Sequence, residues 1–243
     1  MTNSVEIRLS ILIPCFNEEK NIEATLDTVL AALAEVGCSH EVIVVDDQST
    51  DRTFEVAQRW ISSHDGANVR VRRNSKNRGL SRTYVDGAFE AHGKYYRLVC
   101  GDNAEPCSSL VKILKRTGEA DMIVPYHPVV PGKSWFRLQL SRTYTWLVNL
   151  ISGYHLKYYN GLAVHLRYNV MRWGPYSFGF GFQAELITRL LDEGATYVEI
   201  PVEATHVEKD ARASAINMRN ILSVMHSLVE LVVRRIRRQT YGA

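Results

Sequence analysis

The stretch from Glu41 to Thr53 reads EVIVVDDQSTDRT, and it decides the fold that we expect. Four β-branched residues, Val42–Val45, run directly into two adjacent carboxylates, Asp46 and Asp47. An apolar run of this length without polar alternation is typical of a strand buried on both faces in a parallel sheet. The carboxylates then lie where the strand ends, and open α/β sheets bind their ligands at that edge.

The adjacent carboxylates of Asp46 and Asp47 repel each other, so a partner at this edge must compensate their charge. The partner can be a metal ion, a hydrogen-bond donor on a ligand, or a basic side chain. The residues leave one alternative open, in which one acid caps the N-terminus of the next helix and the other is spare.

Strand and helix patterns alternate through the first half of the chain. The predicted strands are residues 8–13, 42–45, 69–73, 95–100 and 120–124. Asn17 is predicted to cap the first helix. Alternation of this kind predicts a parallel sheet with right-handed crossovers. The second half is less regular and ends in a long predicted amphipathic helix, Ile216–Gln239. No linker interrupts the chain, so we predict one domain over residues 1–243.

The composition is that of an ordinary folded protein, with 46% hydrophobic and 23% charged residues. A net charge of +3 is too small to indicate a nucleic-acid partner. The four cysteines lack metal-ligand spacing, which favours reduced thiols in the cytoplasm. No apolar run approaches the ~18 residues of a spanning helix.

Polar residues follow three of the predicted strands. They are Pro14–Glu18 after the first strand, Asp46 and Asp47 after the second, and Gly101–Asn103 after the fourth. At one edge of a parallel sheet these residues can converge on one ligand. Acids that meet a phosphate-bearing ligand need a divalent cation between them, and no Walker-type Gly-Lys loop is present to replace it.

The sequence resembles the family 2 glycosyltransferases, which adopt the GT-A fold. Five segments carry the resemblance in the order of the family: IPCFNEEKNI at 13–22, VVDDQSTDRT at 44–53, NRGLSRTYVDGAFEAHG at 77–93, GDN at 101–103, and GFGFQAELITRLLDEGATYVEIPV at 179–202. The resemblance implies a mostly parallel, Rossmann-like α/β sheet flanked by helices, with an elaborated C-terminal half. It divides the chain into a nucleotide-sugar-binding half at 1–125, an acceptor half at 126–215, and a basic amphipathic helix at 216–243.

The resemblance implies a binding site for a UDP- or GDP-linked sugar. Its residues are Pro14, Phe16, Glu18, Asp46, Asp47, Gly79 and Gly101. Asp47 matches the acid that accepts hydrogen bonds from the base, and Asp46 matches its neighbour near the ribose.

The resemblance also implies that Asp102 is catalytic and binds a divalent cation, Mg²⁺ or Mn²⁺. Asp102 matches the second Asp of the Asp-x-Asp motif of the family, and Cys100 stands where the first Asp is expected. A thiol is a poor ligand for hard Mg²⁺, so Asn103 or Glu105 is expected to supply a second oxygen.

Within the family, the chain is most similar to the polyprenyl-phosphate and dolichol-phosphate sugar transferases. This similarity implies an inverting transfer to a lipid phosphate, held by His127, Arg137, Arg142, Lys209, Arg212 and Ser214. The match is partial, because His127 and Lys209 stand at expected Arg positions and Arg212 replaces a Gly. For each basic residue alone, a solvated surface charge is the alternative.

Glu185 is the second candidate catalytic residue. If the acceptor is a glycan hydroxyl, as in cell-envelope polysaccharide or glycolipid synthesis, the reaction needs a general base. Glu185 matches the acid that serves as this base in the members of the family that transfer to hydroxyls. If the acceptor is a phosphate, we expect Glu185 to orient neighbouring arginines. A third interpretation, a nucleotide-sugar-binding pseudoenzyme, is favoured by Cys100.

Two segments indicate contact with a membrane. The helix at 216–239 ends in Arg234–Arg238, and a basic amphipathic helix can lie in a bilayer interface. Trp135–Trp146 mixes aromatic and basic residues in the same manner. We expect peripheral contact at the cytoplasmic face; an ordinary docking helix or the interface of a homo-oligomer is the alternative.

Overall fold

A computed structural model describes residues 6–129, 135–174, 181–203 and 218–241. The strands are β1 (Leu9–Cys15), β2 (His40–Asp46), β3 (Val69–Arg73), β4 (Tyr95–Leu98), β5 (Met122–Tyr126), β6 (Val164–Leu166) and β7 (Tyr197–Pro201). The helices are α1 (Ile22–Val36), α2 (Thr53–Ser63), α3 (Leu80–Glu90), α4 (Cys107–Leu114), α5 (Trp135–Ser152), α6 (Arg167–Arg172), α7 (Phe182–Asp192) and α8 (Met218–Tyr241).

The seven described strands form one sheet in the order β3-β2-β1-β4-β6-β5-β7. Neighbouring strands are parallel except at β6, which is antiparallel to both β4 and β5. Because β6 reverses direction, β5 runs the same way as β4 and β1. The carboxyl ends of six strands therefore lie at one edge of the sheet, which we call the carboxyl edge.

Helices cover both faces of the sheet. Side chains of α1, α2 and α4 pack on one face, and side chains of α3, α5, α7 and α8 pack on the other. Val42–Val45 have no exposed surface, as a strand between two helical layers requires. This architecture confirms the predicted α/β class with its mostly parallel sheet, flanking helices and terminal helix.

The terminal helix α8 packs against α5 and α7. Leu231 is 2% exposed and belongs to the same apolar cluster as Tyr144 and Val148 of α5. In the part of the chain that the structure describes, no helix combines the length and the apolar character needed to cross a bilayer.

Candidate active site

The loops after β1 and β2 are joined by hydrogen bonds of Asn17. The Asn17 N–H donates to Ser49 Oγ at 2.9 Å, and Asn17 Oδ1 accepts from the Thr50 N–H at 2.8 Å. Asn17 has a φ of 59°, in the left-handed region that asparagine tolerates better than most residues. The predicted helix cap at Asn17 is therefore wrong: α1 begins at Ile22, and the side chain instead ties two loops of the site together.

Phe16 and Glu18 follow β1 and differ in exposure. Phe16 is 40% exposed at the carboxyl edge, beyond the half-buried Pro14. Glu18 is 9% exposed; its Oε2 accepts from Asn21 Nδ2 at 2.9 Å, and its N–H donates to Thr53 Oγ1 at 2.8 Å. Phe16 is thus partly exposed at this edge, whereas Glu18 is buried and held by hydrogen bonds.

Asp46 is compensated by a basic side chain rather than by a ligand. Its Oδ2 lies 2.9 Å from Arg73 Nε, and its Oδ1 accepts from the Ser49 N–H at 3.1 Å. Asp46 has no exposed surface. In this structure Asp46 supports the loop after β2, and its contact with the ribose stays a prediction.

Asp47 anchors the loop that precedes α3. Its Oδ1 accepts from the Arg78 N–H at 2.8 Å and from Asn74 Nδ2 at 2.6 Å, and its Oδ2 accepts from the Gly79 N–H at 2.7 Å. Gly79 has a φ of 79°, which favours glycine. The structure thus brings together two predicted site residues, Asp47 and Gly79. Neither acid caps α2, which begins at Thr53.

The loop after β4 lies against β1. Gly101 O accepts from Thr25 Oγ1 at 2.9 Å, and a Cβ atom at Gly101 would lie 2.8 Å from Cys15 Sγ. Only glycine permits this close approach. The next residue, Asp102, is exposed, and its Oδ1 accepts from the Ala104 N–H at 3.2 Å.

The three loops meet around the Cys15 thiol. Burial raises the pKa of Cys15, and the carboxylates of Glu18, Asp46 and Asp102 raise it further. All three carboxylates belong to the loops or strand ends at the carboxyl edge. The Asp47 N–H also donates to Cys15 O at 2.8 Å. The loops after β1, β2 and β4 follow three adjacent strands, so they begin at the same edge of the sheet; the convergence of their carboxylates on one ligand stays a prediction.

Cys100 and Glu105 are poorly suited to hold a hard cation. Burial raises the pKa of the Cys100 thiol far above its ordinary range, and the nearby carboxylates of Asp102 and Glu105 add to the shift. The thiol is therefore protonated at neutral pH. Glu105 forms an ion pair with Arg97, whose side chain has no exposed surface. The Glu105 carboxylate is therefore already paired with the buried Arg97 guanidinium.

The remaining donors fit a cation that takes most of its ligands from phosphate. Across the described ranges, no three His, Cys, Asp or Glu side chains are grouped closely enough to hold a metal ion. Asp102 offers an exposed carboxylate, with the half-buried Asn103 beside it. Mg²⁺ commonly binds one or two carboxylates together with substrate phosphate oxygens, and Asp102 fits that pattern.

A cleft of about 290 Å³ opens between the end of β5 and the helix α5. Its lining includes three basic side chains, His127, Arg142 and Lys157, and two aromatic ones, Trp146 and Tyr158. The His127 and Tyr158 rings meet edge to face, with centroids 6.1 Å apart. Because His127 directly follows β5, the cleft lies at the carboxyl edge. We call it the cationic cleft.

The other predicted phosphate ligands are placed differently. Arg137 lies on α5 but outside the cationic cleft. It precedes Arg142 by five residues, which puts the two side chains about 140° apart around the helix. Lys209, Arg212 and Ser214 lie outside the described residues.

Glu185 is 1% exposed, near the start of α7. Its Oε1 lies 3.1 Å from Arg189 Nη2, and the Arg189 guanidinium stacks over Trp173 with its Cζ 5.5 Å from the ring centroid. The Glu185 carbonyl accepts from Arg234 Nη1 at 3.4 Å. This is the geometry of a carboxylate that orients an arginine, which is the arrangement expected for a phosphate acceptor.

The arginines at the end of α8 mostly face the protein. Arg235 Nη1 donates to Ser152 O at 2.8 Å, and Arg238 donates to Tyr154 Oη at 3.0 Å and forms an ion pair with Asp192. These contacts join α8 to α5 and α7, and the contact of this arginine cluster with anionic lipid stays a prediction.

Sequence reasoning missed two charged residues near the site, Lys157 and Arg97. Lys157 belongs to no motif, and no signal in the sequence could have placed it in the cationic cleft. Arg97 had a signal, because a single charge inside the apolar run YYRLVC at 95–100 indicates a paired, buried group.

The chain is similar in sequence to known sugar transferases. A dolichol-phosphate mannosyltransferase of Pyrococcus furiosus is 34% identical over 109 residues, which cover 45% of this chain and 30% of that protein. An undecaprenyl-phosphate 4-deoxy-4-formamido-L-arabinose transferase of Edwardsiella ictaluri is 23% identical over 222 residues, 91% of this chain and 66% of that protein. The chain thus spans about a third of the length of the dolichol-phosphate relatives it matches.

Solved structures share the fold at low identity. Glucosyl-3-phosphoglycerate synthase from Mycobacterium tuberculosis, in complex with UDP, superposes with a TM-score of 0.70 at 16% identity, over 93% of this chain and 80% of that one. A mannosyltransferase from Pyrobaculum calidifontis, in complex with GDP-Man and Mn²⁺, superposes with a TM-score of 0.66 at 16% identity. The match covers 97% of this chain and 70% of that one. The fold is therefore GT-A, as expected.

The family model that matches this sequence covers residues 10–176, which is more than half of the chain and includes the loops after β1, β2 and β4. On this match, the chain belongs to glycosyl transferase family 2.

Proposed function

We propose that this protein is an inverting glycosyltransferase that moves a sugar from a nucleoside-diphosphate sugar to a polyprenyl-phosphate lipid. The observation that carries the proposal is the cationic cleft, which opens at the same edge of the sheet as the loops after β1, β2 and β4. The names of the Pyrococcus furiosus and Edwardsiella ictaluri relatives support a lipid phosphate as the acceptor.

The donor nucleoside binds at the ends of β1 and β2. The exposed ring of Phe16 stacks on the nucleoside. Within the described residues, Asp47 Oδ2 accepts a single hydrogen bond, from the Gly79 N–H, so it retains a lone pair for the base. The UDP and GDP-Man complexes of the structural neighbours support a UDP- or GDP-linked donor.

Asp102, with Asn103 beside it, would hold the divalent cation, Mg²⁺ or Mn²⁺. When bound, the cation supplies positive charge at the leaving diphosphate, where negative charge accumulates in the transition state. The close approach of Gly101 to Cys15 and the hydrogen bond of its carbonyl with Thr25 fix the loop, so the exposed Asp102 carboxylate is held at the carboxyl edge. The Mn²⁺ complexes of the structural neighbours support this assignment.

The acceptor requires positioning and not deprotonation. A phosphate monoester is already anionic at neutral pH, so it attacks without a general base. Arg142 in the cationic cleft binds and orients it, with His127 at the end of β5. Glu185 is buried against Arg189, which favours this reaction over transfer to a hydroxyl.

A lipid acceptor places the protein at a membrane surface, and two helices present apolar residues outward. On α5 they are Trp135, Phe136, Leu140, Trp146 and Leu150; on α8 they are Leu222, Met225, Val229, Val232, Val233 and Ile236. The spacing on α8 is that of one helix face. We assign this surface to peripheral contact with the bilayer, at the cytoplasmic face, since the four cysteines are unpaired.

A screen of donors and acceptors tests the proposal. The purified protein is mixed with UDP- and GDP-sugars, Mn²⁺ or Mg²⁺, and a polyprenyl phosphate in detergent, and release of nucleoside diphosphate is measured. We expect release that depends on both the lipid phosphate and one donor. Activity on a glycan hydroxyl with no response to the lipid phosphate would overturn the proposal.

A nucleotide-sugar-binding protein without transfer activity is the second candidate, because Cys100 removes a hard charge from the site. Calorimetry with donor, with and without Mn²⁺, separates the two. Donor binding without transfer or hydrolysis would establish the second candidate and exclude the first.

A further inference from the structure

Lys157 lies in the cationic cleft although no motif of the family includes it. Its ammonium is 4.5 Å from the centroid of the Tyr126 ring and donates to Tyr126 Oη at 3.2 Å. Tyr126 is the last residue of β5, immediately before His127. The exposed side chain of Lys157 is thus held against the Tyr126 ring at the mouth of the cleft.

The backbone around Lys157 is fixed from two sides. The Lys157 N–H donates to Glu199 Oε1 on β7 at 2.6 Å. The preceding Leu156 exchanges hydrogen bonds with the Asn149 side chain on α5, at 3.0 and 3.1 Å. Leu156 and Tyr159 are buried, at 2% and 0% exposure. A segment tied to both α5 and β7 keeps Lys157 in place before any ligand binds.

The charge of Lys157 is available to a ligand. The hydrogen bond with Tyr126 raises the pKa of Lys157, so the ammonium is charged at neutral pH. Within the described part of the chain, neither Lys157 nor Arg142 forms an ion pair with an acid. Lys157 and Arg142 line one cleft and repel each other; the Glu199 carboxylate offsets part of the Lys157 charge, and an anion bound between the two cations would relieve the repulsion that remains.

We infer that Lys157 binds the phosphate group of the acceptor together with Arg142, and that Tyr126 positions its ammonium. This inference rests on the proposed transfer to a lipid phosphate and names a residue of its acceptor site. The cleft, at about 290 Å³, is at the small end of ligand pockets, which suits a phosphate headgroup with the lipid chain leaving along α5.

Steady-state kinetics of Lys157→Ala, with farnesyl phosphate as acceptor, test the inference. We expect KM for the acceptor to rise about tenfold, because a charge-assisted hydrogen bond is lost, while KM for the donor is unchanged. Lys157→Arg retains the charge and should show a smaller rise. Tyr126→Phe frees the ammonium and should also raise the acceptor KM, with less effect on kcat.

Lys115→Ala is the matched control, because Lys115 is an equally charged surface residue paired with Glu35 and distant from the cleft. Thermal unfolding of each variant shows whether it is folded. If the wild type transfers to farnesyl phosphate and Lys157→Ala keeps its acceptor KM, the inference is overturned while the proposed function stands. If the wild type shows no transfer to farnesyl phosphate or another lipid phosphate, the proposed function itself is overturned.

Discussion

Arg234 of α8 and Asp192 at the end of α7 form an ion pair, with Nε 3.1 Å from Oδ2. The same guanidinium reaches the Thr188 hydroxyl and the Glu185 carbonyl, one and two turns earlier on α7. Arg238 joins Asp192 from the next turn of α8. The terminal helix is therefore attached to the helix that carries Glu185 by partly buried charges as well as by Leu231.

We predict that Arg234→Ala destabilises the protein by about 1–3 kcal/mol, because Asp192 loses a charged hydrogen-bond partner in a partly buried setting. Urea unfolding at pH 7 measures the change. Arg237→Ala is the control, since Arg237 is exposed on the same helix. Equal stability of the two variants would mean that the pair with Asp192 contributes nothing measurable.

Cys100→Asp is predicted to bind Mn²⁺ about tenfold more tightly than the wild type in the presence of UDP, because it adds a hard ligand beside Asp102. Without metal, the new carboxylate lies near Glu18 and Glu105, so the variant should melt at a lower temperature and recover when Mn²⁺ is added. Electron paramagnetic resonance of free Mn²⁺ and thermal unfolding provide the measurements. Cys38→Asp adds the same charge away from the site, and a similar gain there would contradict the prediction.

Glu185→Gln is predicted to keep most of the transfer activity toward a lipid phosphate. The acceptor needs no base, and the buried Gln can still accept a hydrogen bond from Arg189. Initial rates with saturating farnesyl phosphate measure the effect, and Asp102→Asn serves as the inactive comparison. A loss of a hundredfold or more at Glu185, with folding intact, would indicate a general base and a hydroxyl acceptor.

The Glu41 carboxylate should make the protein sensitive to acid. Burial alone would raise its pKa, but hydrogen bonds from Ser10 Oγ and the His92 N–H, together with the Arg70 guanidinium, lower the pKa to about 2. The folded pKa lies below the unfolded one, so the stabilisation is complete above about pH 4.5 and is lost as the pH falls toward 2.

Because Arg70 is partly exposed, we expect the contribution of Glu41 to be about 2 kcal/mol. Urea midpoints at pH 6 and pH 3 measure it. Glu41→Gln should be less stable at pH 6 and lose less stability on acidification than the wild type. Glu35→Gln, on the surface of α1, should behave as the wild type; identical acid profiles for all three proteins would refute the assignment.

The outward apolar face of α5 and α8 is predicted to bind anionic vesicles. Leu150→Glu places a charge among the exposed apolar residues of α5 and should reduce the sedimenting fraction severalfold. Phe89→Glu is the control, because Phe89 on α3 is 60% exposed, nearly as much as Leu150 at 63%, and lies away from the face. If Phe89→Glu reduces sedimentation equally, or if neither variant does, this face is not the membrane contact.

The sequence was informative where one local pattern determines the outcome. The run Val42–Val45 predicted a strand buried on both faces, because no polar residue interrupts it. The Gly101 segment predicted a ligand loop for a similar reason, since the strand before it is apolar and the loop is polar. In both cases the prediction depends only on residues that are neighbours in the sequence.

Features that depend on distant partners could not be predicted. Lys157 acquires its role from α5 and β7, which fix it against Tyr126, and no local pattern encodes that contact. Arg234 and Arg238 were interpreted only as the basic end of an amphipathic helix, because their partner, Asp192, lies on another helix. Asn17 looked like a helix cap, yet a left-handed backbone conformation turned its side chain toward the loop after β2.

The reversed strand β6 sets the distance between the loops that follow β4 and β5. Neighbouring strands lie about 4.8 Å apart, so inserting β6 separates the ends of β4 and β5 by roughly 10 Å. Asp102 follows β4 and His127 follows β5, so this spacing is built into the hydrogen-bonding of the sheet itself. The loops after β4 and β5 are therefore held apart by the pairing of the sheet, and changes in their length or sequence leave the separation of their starting points unchanged.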